Sequence, residues 1–336
     1  MTGLLGTVIT IKANYYLVKL DQSDQTLLCI CRSRLKKIGT QVYVGDRVEV
    51  EEPDWQGMRG AISHVLPRIT TLDRPTIANV DRVLLVFALE QPKPEPLQLS
   101  RFLVAIAHSN LPTILCLNKA DLVTPATCEF WRDRLTAWGY TPILTSTHTN
   151  LGIDQLKQQL KSGITVIAGA SGVGKSSLIN HICPELELRI GEVSGRLHHG
   201  RHTTRHVQLF PWGDGLIADT PGFIQPDFSC TTAELAPCFP EAKSRLMSDN
   251  CQFHNCTHRT EPGCVVRGTW ERYEHYLNFW QEISQQEQKR KTSYQPETGI
   301  KLKSGQAEPI LATKKHRRSS RKRDRQSLEI DIEDGN

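Results

Sequence analysis

The sequence predicts a multidomain chain: an all-β N-terminal part, a central α/β layer, and a small cysteine-rich helical segment near the C-terminus. Three observations carry this. Five short strand-patterned segments crowd into residues 1–66. From residue 67 to about 226, apolar strands alternate with stretches of helical period. Between 227 and 288, cysteines and histidines cluster before a helical pattern resumes. The chain of 336 residues is too long for one compact domain. The expected division is 1–66, 67–226, 227–288, and a polar, basic tail 289–336 expected to be disordered.

The first part reads as Gly6–Ile11, Tyr15–Leu20, Leu27–Cys31, Val42–Val50 with a Gly45-Asp46 turn, and Gly60–Leu66. Five short strands in so few residues fit a small barrel such as an OB-fold. Strand alternation puts Cys29 and Cys31 on one face, which predicts core packing over metal binding. Arg32, Arg34, Lys36 and Lys37 form a basic segment that reads equally as a solvated loop or an RNA contact.

In the second part, Val80–Leu89 and Thr113–Leu117 read as buried strands, with a helix over 97–109 between them. In that helix Leu99, Phe102, Leu103 and Ile106 recur at helical spacing. A helix over 125–138 begins with proline, a short strand spans 141–144, and a helix spans 153–160. Strands at 165–168, 207–210 and 216–218 complete the set. Such alternation implies a parallel sheet covered on both faces. Residues 184–206 lack a period and are rich in Gly, His and Arg, which predicts a mobile loop with phosphate-seeking chemistry.

Composition narrows the function classes. The longest uninterrupted apolar run, Val83–Leu89, is far too short to span a membrane. Met1–Tyr16 lacks the layout of a signal peptide, so a cytoplasmic protein is expected. The ten cysteines are then reduced thiols, and their clustering matters more than their number. A net charge of +5, unevenly spread, points toward an anionic partner.

The chemistry starts at Gly169-Ala170-Ser171-Gly172-Val173-Gly174-Lys175-Ser176, a G-x-x-x-x-G-K-S phosphate loop between an apolar strand and a helix that continues through Ser177. Backbone N–H groups must converge on an anion there, so glycines stand where side chains would block the approach. Lys175 supplies a point charge near the β/γ-phosphates, and the Ser176 hydroxyl is a Mg²⁺ ligand. Asn118-Lys119-Ala120-Asp121 ends an apolar strand, where open α/β sheets bind ligands. A carboxylate such as Asp121 accepts two hydrogen bonds from the guanine edge, and adenine offers no such donor pair. Asn118 positions the base and its loop, while the Lys119 stem can cover a base face. Ser146-Thr147 is a second guanine-reading piece. Asp219-Thr220-Pro221-Gly222 comes directly after a strand; Asp219 would hold Mg²⁺ through water, and the Gly222 N–H can reach the γ-phosphate. Of Thr203 and Thr204, Thr204 is the first choice for a second Mg²⁺ hydroxyl.

The order of these motifs departs from that of ordinary GTPases. The guanine-reading pieces precede the phosphate loop, so the domain reads as a circularly permuted P-loop GTPase whose exit lies just past Asp219–Gly222. Cys251-x4-Cys256-x-His258-x5-Cys264 comes next, a set of three thiolates and one imidazole that suits one structural, tetrahedral Zn²⁺ per chain. His254, Cys230 and Cys238 are spare candidates.

Barrel, permuted motifs and Cys-Cys-His-Cys segment together resemble the RsgA (YjeQ) family of small-ribosomal-subunit biogenesis GTPases, over about residues 1–285. The resemblance implies a late-acting assembly factor, a monomer that binds ribosomal RNA through the barrel and zinc domains. It implies GTP hydrolysis stimulated by the small subunit. Members carry Gly-x-Ser-Gly-Val-Gly-Lys-Ser, here Gly169–Ser176, and His-Thr-Thr, here His202-Thr203-Thr204. Thr147 departs from the Ala common at that place. Phe223 stands where many GTPases have a water-orienting Gln, so slow intrinsic turnover is expected, with His202 as the candidate catalytic group. Two rivals stand beside this reading: an RNA-binding scaffold without turnover, and an ATP-dependent kinase, against which Asn118–Asp121 argues.

Overall fold

The structure is a computed structural model describing residues 3–23, 25–73, 75–184, 207–219, 228–293, 300–303 and 306–309. His202, Thr203, Thr204 and Gly222 lie outside the described residues, as do the 185–206 segment and the basic run from residue 314.

Strands β1 (Leu4–Lys12), β2 (Tyr15–Leu20), β3 (Thr26–Cys31), β4 (Arg47–Asp54) and β5 (Arg59–Val65) pair in the order β1-β2-β3-β5-β4. Pairing of β1 with β4 closes them into a barrel. Val8, Val18, Leu27, Cys29, Val48, Val50 and Ile62 fill it, and Cys29 and Cys31 are buried there as strand alternation requires. The basic segment is helical: α1 (Ser33–Lys37) buries Leu35 against the barrel and exposes Arg34 and Lys37. The turn at Val44–Asp46 fastens the barrel to residues 68–79. Buried Asp46 accepts from the Tyr43 N–H (2.7 Å) and from Arg68 Nε (2.7 Å) and Nη2 (2.9 Å). A Cβ on Gly45 would lie 2.0 Å from the Ala78 carbonyl oxygen, so only glycine lets that close approach stand. Ala78 ends a hairpin that the sequence pattern did not announce, β6 (Thr71–Asp73) with β7 (Thr76–Ala78).

The central layer contains β8 (Arg82–Ala88), β9 (Thr113–Asn118), β10 (Ile143–Leu144), β11 (Ser162–Ala168), β12 (Gln208–Trp212) and β13 (Asp214–Asp219). Five are parallel, in the order β10-β9-β8-β11-β13. β12 departs from the expected parallel sheet: it is tied to β13 through Gly213 (φ 54°) as an antiparallel hairpin. Helices α2 (Pro96–His108), α3 (Pro125–Ala137), α4 (Ile153–Leu160) and α5 (Lys175–Ile182) cover both faces. The alternation of β8 sorts the two cores. Val83, Leu85 and Phe87 face Phe102, Leu103, Trp131 and Leu135, while Leu84, Val86 and Ala88 face Ile153, Leu156, Leu178 and Ile182.

The free edge of β12 meets the barrel at Thr10↔Gln208, so barrel and α/β layer form one 11-stranded sheet. The register of β1 on β2 shifts between Val8 and Thr10. At this bulge Val8 stays in the barrel core and Ile9 joins the α/β core beside Leu209.

Beyond residue 228, a 3₁₀ turn (Ala236–Cys238), α6 (Pro240–Ser248) and α7 (Tyr273–Ser293) pack around Phe228, Leu235, Phe239, Val266, Tyr276 and Phe279, with Val104 of α2 in the same cluster. Fully buried Arg272 joins the layers. Its Nε donates to Glu241 Oε1 (2.8 Å), and its guanidinium stacks on Trp138 (4.8 Å) and Phe239 (4.9 Å). Residues 285–336 form a second unit. Of the tail 289–336 that is expected to be disordered, the described residues are the end of α7, which runs to Ser293, and β14 (Ile300–Lys303), which pairs antiparallel with β15 (Gln306–Pro309). Ile300 and Leu302 alternate with lysines, a strand period that the polar composition of the tail hid. Among the described residues no helix is long and apolar enough to cross a membrane.

Removing Glu241 leaves the buried Arg272 charge uncompensated. Glu241→Ala is expected to destabilise the chain by about 3 kcal/mol, read as a drop in the urea midpoint. A loss below about 1 kcal/mol, the range of exposed pairs, would show that Arg272 does not depend on this partner.

Candidate nucleotide and metal sites

The carboxyl ends of β9, β10 and β11 converge, and each ends in a loop that the sequence marked. Gly169–Gly174 links β11 to α5, with positive φ at Gly169 (141°), Gly172 (79°) and Gly174 (90°). A Cβ on Gly169 would fall 2.1 Å from the Val86 carbonyl oxygen, and one on Gly174 would fall 2.5 Å from Asn118 Nδ2. Glycine is demanded here by neighbouring loops as well as by the anion. Lys175 Nζ donates to the Gly169 (3.0 Å) and Ala170 (2.6 Å) carbonyls, and burial lowers its pKa. Ser176 and Ser177 lie in the first turn of α5, whose N-terminal N–H groups open on the loop.

Asn118 is the last residue of β9 and is buried. Its Nδ2 donates to the Val173 carbonyl at 3.0 Å, binding the base-reading segment to the phosphate loop. Lys119 takes the left-handed conformation (φ 61°), and its Nζ donates to the carbonyls of Gly172 (2.9 Å) and Gln91. Such backbone geometry is uncommon for a side-chain-bearing residue and concentrates at functional sites. Ala120 and Asp121 begin a 3₁₀ turn, and the Ala120 N–H donates to the Thr145 carbonyl (3.0 Å). Ser146 lies just past β10 and is buried; its Oγ accepts from the N–H groups of His148 and Thr149, both 3.2 Å, which fixes the loop around Thr147. Asp121 is exposed and also borders an open cleft of ≈ 550 Å³ shared with Leu89, Lys93, Thr124 and Trp131, which no phosphate-loop residue lines. Asp219 is the last residue of β13, the neighbour of β11.

Sequence reasoning missed Thr145, Cys116 and Gln91, which support these loops from behind. Thr145 carried a signal in being a polar residue at the end of a buried strand; Cys116 and Gln91 carried none.

The second site is the predicted cysteine cluster. Cys251, Cys256, His258 and Cys264 place their ligand atoms within 4.8 Å of one another. Cys251 Sγ and Cys264 Sγ are 3.9 Å apart, and His258 Nδ1 lies 3.5 Å and 3.4 Å from them. A tetrahedral ion with Zn–S of about 2.3 Å and Zn–N of about 2.0 Å sets edges of about 3.8 Å and 3.5 Å, so the donor set fits zinc. Burial lowers the His258 pKa, keeping the imidazole neutral with a lone pair to give. The loop is braced from outside. Glu261 accepts from the Thr257 hydroxyl and from the N–H groups of Thr257 (2.8 Å) and Arg259 (3.0 Å), which holds its carboxyl below the usual range. Tyr273 and Tyr276 of α7 donate to the His258 and Thr257 carbonyls, both at 2.8 Å. The spare candidates are elsewhere: Cys230 and Cys238 are buried in the helical core.

A family model for the RsgA GTPase matches residues 65–229. A protein of Trichormus variabilis named small ribosomal subunit biogenesis GTPase RsgA is 51% identical over 97% of this chain and 96% of its own. The chain belongs to the RsgA GTPase family. Membership explains the motif order, and it reaches plants: the Arabidopsis thaliana mitochondrial RsgA 1 is 40% identical over 98% of this chain and 87% of its own. Among solved structures, YjeQ of Thermotoga maritima is 32% identical with a TM-score of 0.70, covering 84% of this chain and 98% of that one. YloQ, described as a circularly permuted GTPase, is 31% identical with a TM-score of 0.71, covering 84% and 96%.

In this RsgA-family chain Gly174→Ala forces a β-carbon into Asn118 at a left-handed φ. The expected result is guanine-nucleotide affinity weaker by about 1–3 kcal/mol, measured by calorimetry with GDP. Unchanged affinity would mean that the two loops separate freely.

Proposed function

We propose that this chain is a GTPase that assists late maturation of the small ribosomal subunit, binding its ribosomal RNA and hydrolysing GTP to GDP and phosphate when the subunit stimulates it. The observation that carries the proposal is the Asn118–Asp121 segment fixed on the phosphate loop, in a chain whose relatives bear that name. Asp121 reads the guanine edge, and Ser146 and Thr147 close the base side. Gly169–Ser177 surround the phosphates. A magnesium ion bound with GTP would draw on Ser176, Thr204 and, through water, Asp219, and would neutralise phosphate charge. The Gly222 N–H serves the γ-phosphate, and Thr203 is the alternative to Thr204 as the magnesium hydroxyl. His202 is the proposed water-orienting group. The proposed domains are the barrel 1–66, the permuted GTPase domain 67–226, the zinc-binding helical domain 227–288 and the basic tail 289–336. The proposed state is a cytoplasmic monomer.

Two surfaces bear on an RNA partner. Outward residues of β2, β3 and β5 form adjoining rows, Tyr15↔Ile30↔Ala61 and Leu28↔Arg59, with Lys12 opposite Tyr15, while Leu17 beside Leu28 packs on the α/β core. Tyr15, Ile30 and Leu28 are 52%, 50% and 40% exposed, an apolar and aromatic patch edged by cations on the barrel face that OB-folds use for nucleic acid. Beside α1, by contrast, Arg32 is engaged by Glu51 and Glu52, both at 2.8 Å, so the basic segment offers less charge than its sequence promises.

GTP turnover measured with and without small ribosomal subunits tests the function. Stimulation of at least about tenfold, 1.4 kcal/mol of barrier, is expected. Equal slow rates, with GTP and subunits still bound, would leave only a scaffold.

Metal analysis is expected to give about one zinc per chain. Cys256→Ser should lose the metal and loosen the 251–264 loop locally, because site formation and folding are linked. Full metal content in that variant would contradict the ligand set.

A further inference from the structure

The side-chain amide of Asn118 must point one way for the base-reading and phosphate loops to stay joined. Nδ2 faces the Val173 carbonyl at 3.0 Å, and Oδ1 faces Thr145 Oγ1 at 3.2 Å. A flipped amide would set two acceptors against each other at Val173, and the Gly174 backbone leaves no slack beside Nδ2. Oδ1 cannot donate, so the single Thr145 hydroxyl proton goes to it. Cys116 Sγ lies 3.0 Å on the other side of that hydroxyl. With its proton committed, the hydroxyl can only accept there, so the Cys116 S–H is the donor. Cys116 and Thr145 are 0% exposed and Asn118 is 2% exposed, which leaves solvent no access to stand in for any member.

We propose that Cys116 is a positioning residue for guanine-nucleotide binding. Its thiol donates to Thr145, Thr145 donates to Asn118, and Asn118 donates to Val173, a one-way chain that locks the base-reading loop onto the phosphate loop. The proposal rests on the reading of these loops as a guanine-nucleotide site. Cys116 is two residues before Asn118 on β9, so strand alternation turns both side chains to the face shared with β10, just past which Thr145 lies. Burial pushes its thiol up to about 12, so the donor stays protonated across the working pH range. The same burial makes it a poor redox or nucleophilic group, which leaves positioning as its chemistry.

The test is GDP release from the full chain, monitored with a fluorescent GDP analogue, in variants separating donor from packing. Cys116→Val fills the site without a donor and should release GDP about tenfold faster, the effect of one unpaired buried acceptor. Cys116→Ser restores a donor and should return release to within about twofold of wild type. Thr145→Val breaks the chain at its middle and should release GDP at least as fast as Cys116→Val. Adding Cys116→Val to it should change nothing more, because coupled members do not add. Wild-type release from Cys116→Val, a serine variant as fast as the valine one, or additive losses would each overturn the proposal. A wild-type chain that binds no GDP would instead overturn the site reading beneath it.

Discussion

At three glycines around the strand ends the backbone packs more closely than side chains allow, and the nucleotide site depends on that packing. Hypothetical β-carbons on Gly169, Gly174 and Gly152 would lie 2.1 Å from the Val86 carbonyl oxygen, 2.5 Å from Asn118 Nδ2 and 2.0 Å from the Leu144 carbonyl oxygen. The three glycines sit at the ends or starts of different elements: β11, α5 and α4. Gly169 closes the phosphate loop onto β8, Gly174 closes it onto the end of β9, and Gly152 folds the β10–α4 loop back onto β10. An anion cradle and a base-reading edge must be held a fixed distance apart to bind one nucleotide, and Asn118 spans that gap through Val173. Lys119 adds a second tie at Gly172. The strained backbone of Lys119 is the cost of aiming its side chain across the phosphate loop.

Circular permutation leaves this geometry unchanged and alters what is covalently attached to it. The order β10-β9-β8-β11-β13 depends on packing alone, since both core clusters mix residues from either side of the new chain order. What changes is the exit. β13 ends at Asp219, and Phe228 is already buried in the helical core, near Phe279 (4.8 Å) and beneath Arg101 (4.6 Å). The proposed phosphate-contacting segment therefore runs directly into the part that carries the Cys-Cys-His-Cys cluster, whose core includes Val104 of α2.

Much of this was legible because the signals were local. Binary pattern placed the strands and helices of the α/β layer to within a few residues, and the spacing of Cys251, Cys256, His258 and Cys264 singled out the group whose ligand atoms meet. What was not legible depended on partners far away in sequence. The β6–β7 hairpin is too short for a period to show, and Gly45 and Asn79 hold it to the barrel. Helix α1 buries Leu35, and the rest of its sequence is polar or charged, so its composition looked like a charged loop. Thr145 and Cys116 acquire their meaning only when β9 and β10 pair, at Cys116↔Ile143.

The pairing of β12 with the barrel is the least foreseeable of these features and constrains the molecule most. β12 is an edge strand of the α/β layer, and a free edge is a site for unwanted pairing. Thr10 covers it at Gln208, and the adjacent bulge sends Ile9 into the core beside Leu209. On its other edge β12 pairs with β13 along its whole length, from Gln208↔Asp219 to Trp212↔Gly215. The residue that touches the barrel is thus the same residue that sits opposite Asp219. Since β12 is bonded on both edges, displacing it breaks the pair at Thr10 or carries β1 with it. The barrel, which holds the proposed RNA face, and the strand end that holds a proposed phosphate-side carboxylate are joined through a single residue, Gln208, paired with Thr10 on one edge and Asp219 on the other.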